Sequence, residues 1–161
     1  MGSARQGMAL LVFVLLSFGA GAIGSLATAR AIPEWYNSLV RPSWSPPNWV
    51  FGPVWTLLYL MMGIAAWLVW REAGGVKGAA GPLGLFLAQL AFNASWSLIF
   101  FGLRRPDWAF AEIVVLWVLI LATLIAFWRA TALAGVLLLP YLLWATFASG
   151  LNHAIWRLNA R

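Results

Sequence analysis

The chain has 161 residues, of which 63% are hydrophobic and 9% are charged. A soluble domain of this size carries about a quarter charged residues, so this composition excludes a compact water-soluble fold. The chain has no cysteine and one histidine, which excludes disulfide bridges and thiolate metal sites. Its net charge of +6 is typical of Arg and Lys that flank membrane spans. No basic cluster alternates with polar residues, so we expect no nucleic-acid partner.

Five apolar segments follow one another along the chain. A bilayer core about 30 Å thick is crossed by about 20 helical residues. Uninterrupted apolar runs of this length indicate helices, because barrel strands alternate apolar with polar residues. The predicted spans are 8–29, 49–70, 82–102, 108–128 and 133–156, and only Glu112 places a formal charge within them. The sequence therefore predicts an all-α membrane protein, a five-transmembrane-helix bundle that forms one domain over residues 1–161.

The longest predicted loop joins the first two spans. Residues 30–48 read RAIPEWYNSLVRPSWSPPN and contain four prolines. Because proline fixes φ and lacks an N–H donor, we expect a rigid, non-helical lid. Its aromatic residues Trp35, Tyr36 and Trp44 should pack on the bundle below.

Polar side chains of the third span recur on one helical face. Gln89, Asn93, Trp96 and Phe100 are spaced four, three and four residues apart, which places them on the same side of a helix. An amide exposed to lipid costs several kcal/mol, so this face should point inward. Two roles stay open for the amides, hydrogen bonding between helices and ligand contact.

Aromatic stripes in the second and fifth spans match this face. Buried indole N–H groups need acceptors, and for Trp55, Trp96 and Trp144 we expect Asn93 or Asn152 to supply them. Three stripes beneath an aromatic lid favour an apolar, flat-walled pocket for a planar hydrophobic ligand, with a filled core as the alternative. The stripes are Phe51, Trp55, Tyr59 and Met62 in the second span, and Tyr141, Trp144, Ala148 and Asn152 in the fifth.

Small residues form another pattern, in the first span between Gly19 and Ser25 and in the third at Gly84 and Ala88. They permit close backbone approach, either inside the bundle or in a homodimer. Glu112 and His153 lie near span ends, where we interpret them as interfacial groups. No catalytic triad or metal site can be assembled, and no cofactor is expected to be required.

Three motifs, in order along the chain, resemble the TspO/MBR family (tryptophan-rich sensory protein, translocator protein or peripheral benzodiazepine receptor). They are RPSWSPPNWVFGPVWTLLYLMMG at 41–63, preceded by Trp35 and Tyr36, QLAFNASWSLIFFG at 89–102, and PYLLWATFASGLNHAIWRLN at 140–159. The resemblance implies a five-helix bundle, commonly dimeric. It also implies a pocket under loop one for porphyrins such as protoporphyrin IX, for sterols such as cholesterol and for drug-like ligands.

The resemblance also implies roles for individual residues. Trp55 and Trp144 correspond to pocket tryptophans implicated in porphyrin binding and in its light-dependent breakdown. For the porphyrin propionates we expect Arg30 or Arg41 as partners. The expected ligand contacts are Trp44, Trp55, Tyr59, Gln89, Asn93, Trp96, Trp108, Trp144, Ala148 and Leu151.

The sterol motif of the family is imperfect in this chain. It would comprise Leu151, His153 and Arg157, but histidine stands where the family usually has tyrosine or phenylalanine. Such motifs are weak even when they are intact. Sterol binding is therefore a weaker expectation than porphyrin binding.

Three functions remain open at this stage. The first is a receptor or translocator-type protein that binds a porphyrin, and the second is an enzyme that degrades porphyrin under light. The third is a dimeric membrane scaffold whose core is filled. We expect a bacterial membrane as the location, with the mitochondrial outer membrane as the alternative. A small excess of Arg and Lys predicts that loop one and the C-terminus face the cytosol.

Overall fold

The computed structural model describes residues 2–160 and folds them into five helices. Each helix is long and apolar enough to cross a membrane. Within these residues there is no strand, so the predicted all-α membrane fold is confirmed. The helices are α1 (Ser3–Glu34), α2 (Asn48–Glu72), α3 (Ala80–Ser97), α4 (Pro106–Ala130) and α5 (Ala132–Asn159), and a π turn at Leu98–Gly102 extends α3.

The lid is shorter than predicted because α1 continues through residue 34. Pro33 lies in the last turn of α1, and Trp35, the residue after the helix ends, still donates to the carbonyl of Ala31 at 2.9 Å. The expectation of a non-helical segment over 30–48 is therefore wrong for residues 30–34, for the short 3-10 helix Tyr36–Ser38 and for Asn48, which begins α2. We call the remaining connection, residues 35–47, the cap.

The first half of the cap is fastened to the bundle at two points. Tyr36 is buried, with its ring 5.6 Å from that of Phe101. Further along, the backbone N–H of Val40 donates to Oδ1 of Asn159 at 3.0 Å, and Nδ2 of Asn159 donates back to the Val40 carbonyl at 2.9 Å. This reciprocal pair ties the cap to the end of α5.

The core divides the bundle into two unequal parts. The larger cluster fills the half of the bundle that lies away from the cap, and its fully buried members include Met62, Phe86, Ile120, Phe127 and Leu138. There α1 and α2 cross closely at Gly63, where an added Cβ would lie 2.6 Å from the Val14 Cα. A smaller cluster lies under the cap and is built on Tyr36, Phe100, Ala109, Leu151 and Ile155. The space between these clusters and α1 is not filled by side chains.

Candidate ligand cavity

A cavity of about 640 Å³ lies beneath the cap, between α1, α2, α5 and the end of α3. Its volume is within the range of small-molecule sites, about 300–1,000 Å³. The lining is mostly apolar, with few polar side chains such as Asn48 and Asn152. It therefore suits a hydrophobic ligand of substantial size.

Aromatic rings from three helices form one side of the cavity. Trp55 stacks on Tyr59, with ring centroids 5.4 Å apart and planes 27° apart. Trp96 stacks on Phe100 at 5.2 Å and 28°. Trp144 of α5 also lines the cavity. These stacked pairs present extended flat surfaces to the interior.

The opposite side is a wall of small residues on α1. Gly24 illustrates why they are small, since a Cβ there would lie 2.8 Å from the Ser97 Oγ. In the sequence these small residues lie close together, and we predicted from this that they permit close helix packing inside the bundle or in a homodimer. Close packing within the bundle is confirmed at Gly21 and Gly24, but no sequence pattern showed that these residues also line a cavity. The wall consists of Gly21, Ala22, Gly24, Ser25, Thr28 and Ala29.

The cavity opens sideways, between α1 and α2. Several of the residues that line the cavity are also exposed on the outer surface of the bundle. They lie within the predicted spans of α1 and α2 and are Ala22, Ser25, Ala29, Gly52 and Thr56. The opening therefore faces the bilayer.

Hydroxyl groups at this opening are satisfied by their own helices. The Ser25 hydroxyl donates to the Ala22 carbonyl at 2.9 Å, and the Thr56 hydroxyl donates to the Gly52 carbonyl at 2.8 Å. Bonds of this kind leave little free polarity at a helix surface. The opening is thus suited to the passage of an apolar molecule.

A chain of buried hydrogen bonds runs inward from the aromatic side. Tyr59 donates to Oδ1 of Asn93 at 2.6 Å, and Nδ2 of Asn93 lies 2.9 Å from the hydroxyl of Tyr141. Tyr141 in turn donates to Oε1 of Gln89 at 2.8 Å. Gln89 and Asn93 do not line the cavity, so they bond helices together. Their polar atoms are engaged by Tyr59, Tyr141 and Met62, which favours the role in hydrogen bonding between helices, while direct ligand contact by either amide stays a prediction.

The indole N–H groups are satisfied only in part. Trp96 donates to Oδ1 of Asn152 at 3.0 Å, while Nδ2 of Asn152 holds the Pro106 carbonyl at 2.8 Å. Asn152 is thus the acceptor that we expected for Trp96. The indole nitrogen of Trp144 is buried and has no hydrogen-bond partner among residues 2–160. Neither asparagine serves it.

Six of the ten expected ligand contacts line the cavity: Trp55, Tyr59, Trp96, Trp144, Ala148 and Leu151. Besides the two amides, Trp44 and Trp108 lie outside it. Trp108 is 59% exposed, and the Arg105 guanidinium lies 4.7 Å from its ring centroid, as in an interfacial belt. Trp44 is 51% exposed and packs its edge on Phe147 at 5.8 Å. These two predictions are corrected accordingly.

The two expected propionate partners do not line the cavity. Arg30 is an exposed residue of α1. The Arg41 guanidinium lies 5.1 Å from the ring centroid of Tyr36, and its NH1 donates to Oδ1 of Asn48 at 3.2 Å. Because Asn48 and Tyr36 both line the cavity, Arg41 stands directly behind its wall at the cap end.

The three positions of the imperfect sterol motif do not share a surface. Leu151 is buried and lines the cavity. His153 is exposed on the other side of α5, where its ring lies 5.0 Å from that of Phe110. Arg157 is also exposed. Residues two apart on a helix point in nearly opposite directions, which explains the separation.

Acidic and histidine side chains do not gather anywhere in the part of the chain described. Among residues 2–160, no group of three His, Cys, Asp or Glu is placed to hold a metal ion. The cavity is lined by rings, aliphatic groups, hydroxyls and the amides of Asn48 and Asn152.

The fold and the cavity define an integral, multi-pass helical membrane protein with an internal cavity that opens towards lipid. The family model described as "TspO/MBR family" matches residues 13–157. The chain belongs to this family, and the resemblance seen in its three motifs is confirmed.

Named relatives span bacteria and animals. The human "Translocator protein" is 46% identical over 127 residues, which cover 78% of this chain and 75% of that protein. The "Tryptophan-rich sensory protein" of Cereibacter sphaeroides is 44% identical over 141 residues, covering 86% and 87%. The "Tryptophan-rich protein TspO" of Chlorobaculum tepidum is 40% identical over 155 residues, covering 96% and 98%.

Proposed function

We propose that this chain is a receptor or translocator-type membrane protein that binds a porphyrin, with protoporphyrin IX as the first candidate, and that takes part in tetrapyrrole regulation or transport. The observation that carries the proposal is the 640 Å³ cavity with Trp55, Trp96 and Trp144 on its walls. Names of relatives that refer to translocation and sensing are consistent with it.

The shape of the cavity favours a flat ligand. A tetrapyrrole would lie with one face against the indoles, where offset stacking is favourable, and with the other against the small residues of α1. The indole nitrogen of Trp144 is not available to such a ligand, because it is buried from the cavity as well as from the outer surface.

The propionates of such a ligand would point towards the cap. Arg41 is the better placed of the two expected cations, because it already bonds Asn48 on the cavity wall at 3.2 Å. Turning its guanidinium from Tyr36 to a carboxylate would form charge-assisted hydrogen bonds. Cholesterol and drug-like ligands are secondary candidates for the same apolar space.

Binding is tested by titrating protoporphyrin IX into the protein in lipid nanodiscs and following the porphyrin absorption band. Trp55→Phe together with Trp144→Phe should weaken binding several-fold, because stacking area is lost at two walls. Trp49→Phe is the matched control, since Trp49 is 74% exposed and lies outside the cavity. Equal affinity of the double variant and the control would rule out this site.

Light-dependent porphyrin breakdown is a second candidate. It is favoured by the position of Trp55, which lines the cavity and stacks on Tyr59 at 5.4 Å, so a ring that can be oxidised would touch the bound porphyrin. Illumination of the loaded protein should yield products that change in Trp55→Phe. If the products match those of free porphyrin in detergent, the protein has no catalytic part in the breakdown.

We also propose that the protein forms homodimers through the outer face of α3. Gly84 and Ala91 are exposed there, and a Cβ added at Gly84 would meet no atom within 4 Å. Inside one bundle Gly84 is thus not needed for packing, whereas small exposed residues allow close helix contact between copies. Gly84→Leu should shift the protein to monomer in light-scattering measurements, with Gly19→Leu as the control.

A scaffold with a filled core is disfavoured by the cavity. A bacterial membrane is the proposed location.

A further inference from the structure

Glu112 is an acid well inside α4. It lies six residues beyond Pro106, where the helix begins, which is about 9 Å along the axis. The exposed Trp108 and the ion pair between Arg105 and Asp107 mark the membrane surface at that end. Glu112 is therefore below the interface, and its side chain reaches α3 at Ser95.

The contacts of Ser95 indicate the protonation state of Glu112. The Ser95 Oγ lies 2.7 Å from Oε1 of Glu112 and 3.0 Å from the carbonyl of Phe92. A hydroxyl has one hydrogen to donate, and neither a carbonyl nor a carboxylate can donate one. If Glu112 is charged, Ser95 must share its one hydrogen between two acceptors in a three-centre bond. A protonated Glu112 gives each contact a hydrogen of its own, because Ser95 then donates to Phe92 and Glu112 donates to Ser95.

The surroundings of Glu112 offer no compensation for a negative charge. Its second oxygen is buried without a partner among residues 2–160. Residues 2–160 form two ion pairs, and neither of them includes Glu112. An unpaired carboxylate in such a place is strongly disfavoured.

Ionisable groups on the helices that pack against α4 are few and engaged elsewhere. The sequence of α3, Ala80–Ser97, contains none. On α5, Tyr141 is bonded to the two amides of α3, His153 packs on Phe110, and Arg157 is exposed in the last turn.

On α2, which also packs against α4, Tyr59 is bonded to Asn93. Arg71 and Glu72 lie at the far end of α2, away from the cap, where Arg71 packs over Trp67. On α4 itself, Asp107 is paired with Arg105. No cation is thus placed to hold Glu112 in its charged form.

We propose that Glu112 is an intramembrane proton-binding site, a neutral carboxylic acid at pH 7 that donates to Ser95 and joins α4 to α3. Ser95 immediately precedes Trp96, whose ring lines the cavity. The hydrogen bond that the bound proton makes possible therefore stabilises the segment of α3 that carries Trp96. Loss of the proton would turn the Ser95 hydroxyl towards Glu112 and remove its bond to the Phe92 carbonyl.

A neutral acid at this depth should react with an apolar carbodiimide. The acid proton moves to a carbodiimide nitrogen, and the carboxylate oxygen bonds to the central carbon to give an O-acylisourea. That adduct rearranges to a stable N-acylurea, with no leaving group and no change of oxidation state. Dicyclohexylcarbodiimide, which dissolves in the bilayer, is the reagent of choice.

Infrared difference spectra of the full chain in phosphatidylcholine vesicles test the proposal. Subtracting Glu112→Gln from wild type at pH 7 should reveal the C=O band of a protonated carboxyl group. Glu72→Gln is the control, because Glu72 is exposed at the end of α2 and should contribute carboxylate bands only. Carboxylate bands assigned to Glu112 at pH 7 would overturn the proposal.

The bond to Ser95 has its own readout. Ser95→Ala should move the acid band to higher wavenumber, because a carboxyl group that loses its hydrogen-bond partner has a stiffer C=O. An unmoved band would show that Ser95 is not the partner and would refute the assignment.

Labelling of wild type needs no variant and so does not depend on folding of a mutant. Peptide mass spectrometry should find the dicyclohexylcarbodiimide adduct on Glu112 in preference to the other three acids, Glu34, Glu72 and Asp107. A water-soluble carbodiimide should show the reverse preference. Adducts distributed equally, or absent from Glu112, would contradict a neutral acid within the membrane span.

Discussion

Tyr59 and Asn93 are joined by a 2.6 Å hydrogen bond that connects the wall of the cavity to the centre of α3. Tyr59 presents its ring to the cavity and its hydroxyl to the core. Asn93 passes the connection to Tyr141 on α5. The rings that would receive a ligand are thus held by the same polar groups that hold three helices together.

Asn93→Ala should destabilise the bundle. It removes the acceptor of Tyr59 and the donor to Tyr141 in a buried place, and each buried group left unpaired costs about 1–3 kcal/mol. The thermal midpoint in detergent should fall clearly. Asn37→Ala is the control, because Asn37 is exposed and bonds only Asn48 on the cap side. A midpoint equal to that of the control would mean that the network contributes little.

Gly63→Ala tests the crossing of α1 and α2. A Cβ at this position would lie 2.6 Å from the Val14 Cα, and backbone atoms cannot move aside as a flexible side chain can. We expect a loss of about 1–3 kcal/mol from overpacking, measured as a lower thermal midpoint. At Gly19 a Cβ meets nothing within 4 Å, so Gly19→Ala should be neutral or stabilising by up to about 1 kcal/mol. Similar behaviour of the two variants would refute this close crossing.

Asn159→Ala should loosen the cap. Both hydrogen bonds to the Val40 backbone, at 3.0 and 2.9 Å, disappear in this variant. Amide hydrogen exchange across residues 35–47 should accelerate, most of all at Val40, while α2 stays protected. Arg157→Ala is the control on the same helix, being exposed and distant from the cap contact. Unchanged exchange at Val40 would show that the clamp is dispensable.

Thr56→Trp should slow ligand entry. Thr56 lies at the edge of the sideways opening and is exposed, so an indole there would obstruct the gap between α1 and α2. In stopped-flow mixing with protoporphyrin IX in vesicles, the association rate should fall. Leu60→Trp, one turn further along α2 and outside the cavity lining, should leave the rate unchanged. If only cap variants such as Asn159→Ala alter the rate, entry is past the cap instead.

Long apolar runs predicted the helices correctly, and aromatic residues at helical spacing predicted the aromatic stripes. Trp55, Trp96 and Trp144 were expected on cavity walls because indoles within a span, at helical spacing, have few other places to lie. Trp108 was expected in the pocket only through the family resemblance, whereas its place at the end of a span favours an interfacial position. Its exposure beside Arg105 agrees with the interfacial position.

The spacing of residues along the sequence also could not show which buried polar groups bond to each other. Asn93 and Asn152 were both offered as acceptors for indoles, yet Asn93 bonds two tyrosines and Asn152 bonds Trp96. Which amide meets which ring depends on the rotation and depth of each helix relative to its neighbours. The small residues of α1 pack closely inside the bundle at Gly21 and Gly24, as one of the two expectations had it, but their place in the lining of a cavity was not predicted.

The sequence by itself determined that the chain crosses a membrane five times as helices, because about 20 apolar residues in a row can satisfy their backbone groups in lipid in no other way. It also determined the family, through three long motifs. Only the tertiary structure decided that a cavity exists, that it opens between α1 and α2, and that Arg41 stands behind its wall. Voids and openings are properties of how helices pack together, and periodicity within one helix carries no record of the distance to the next.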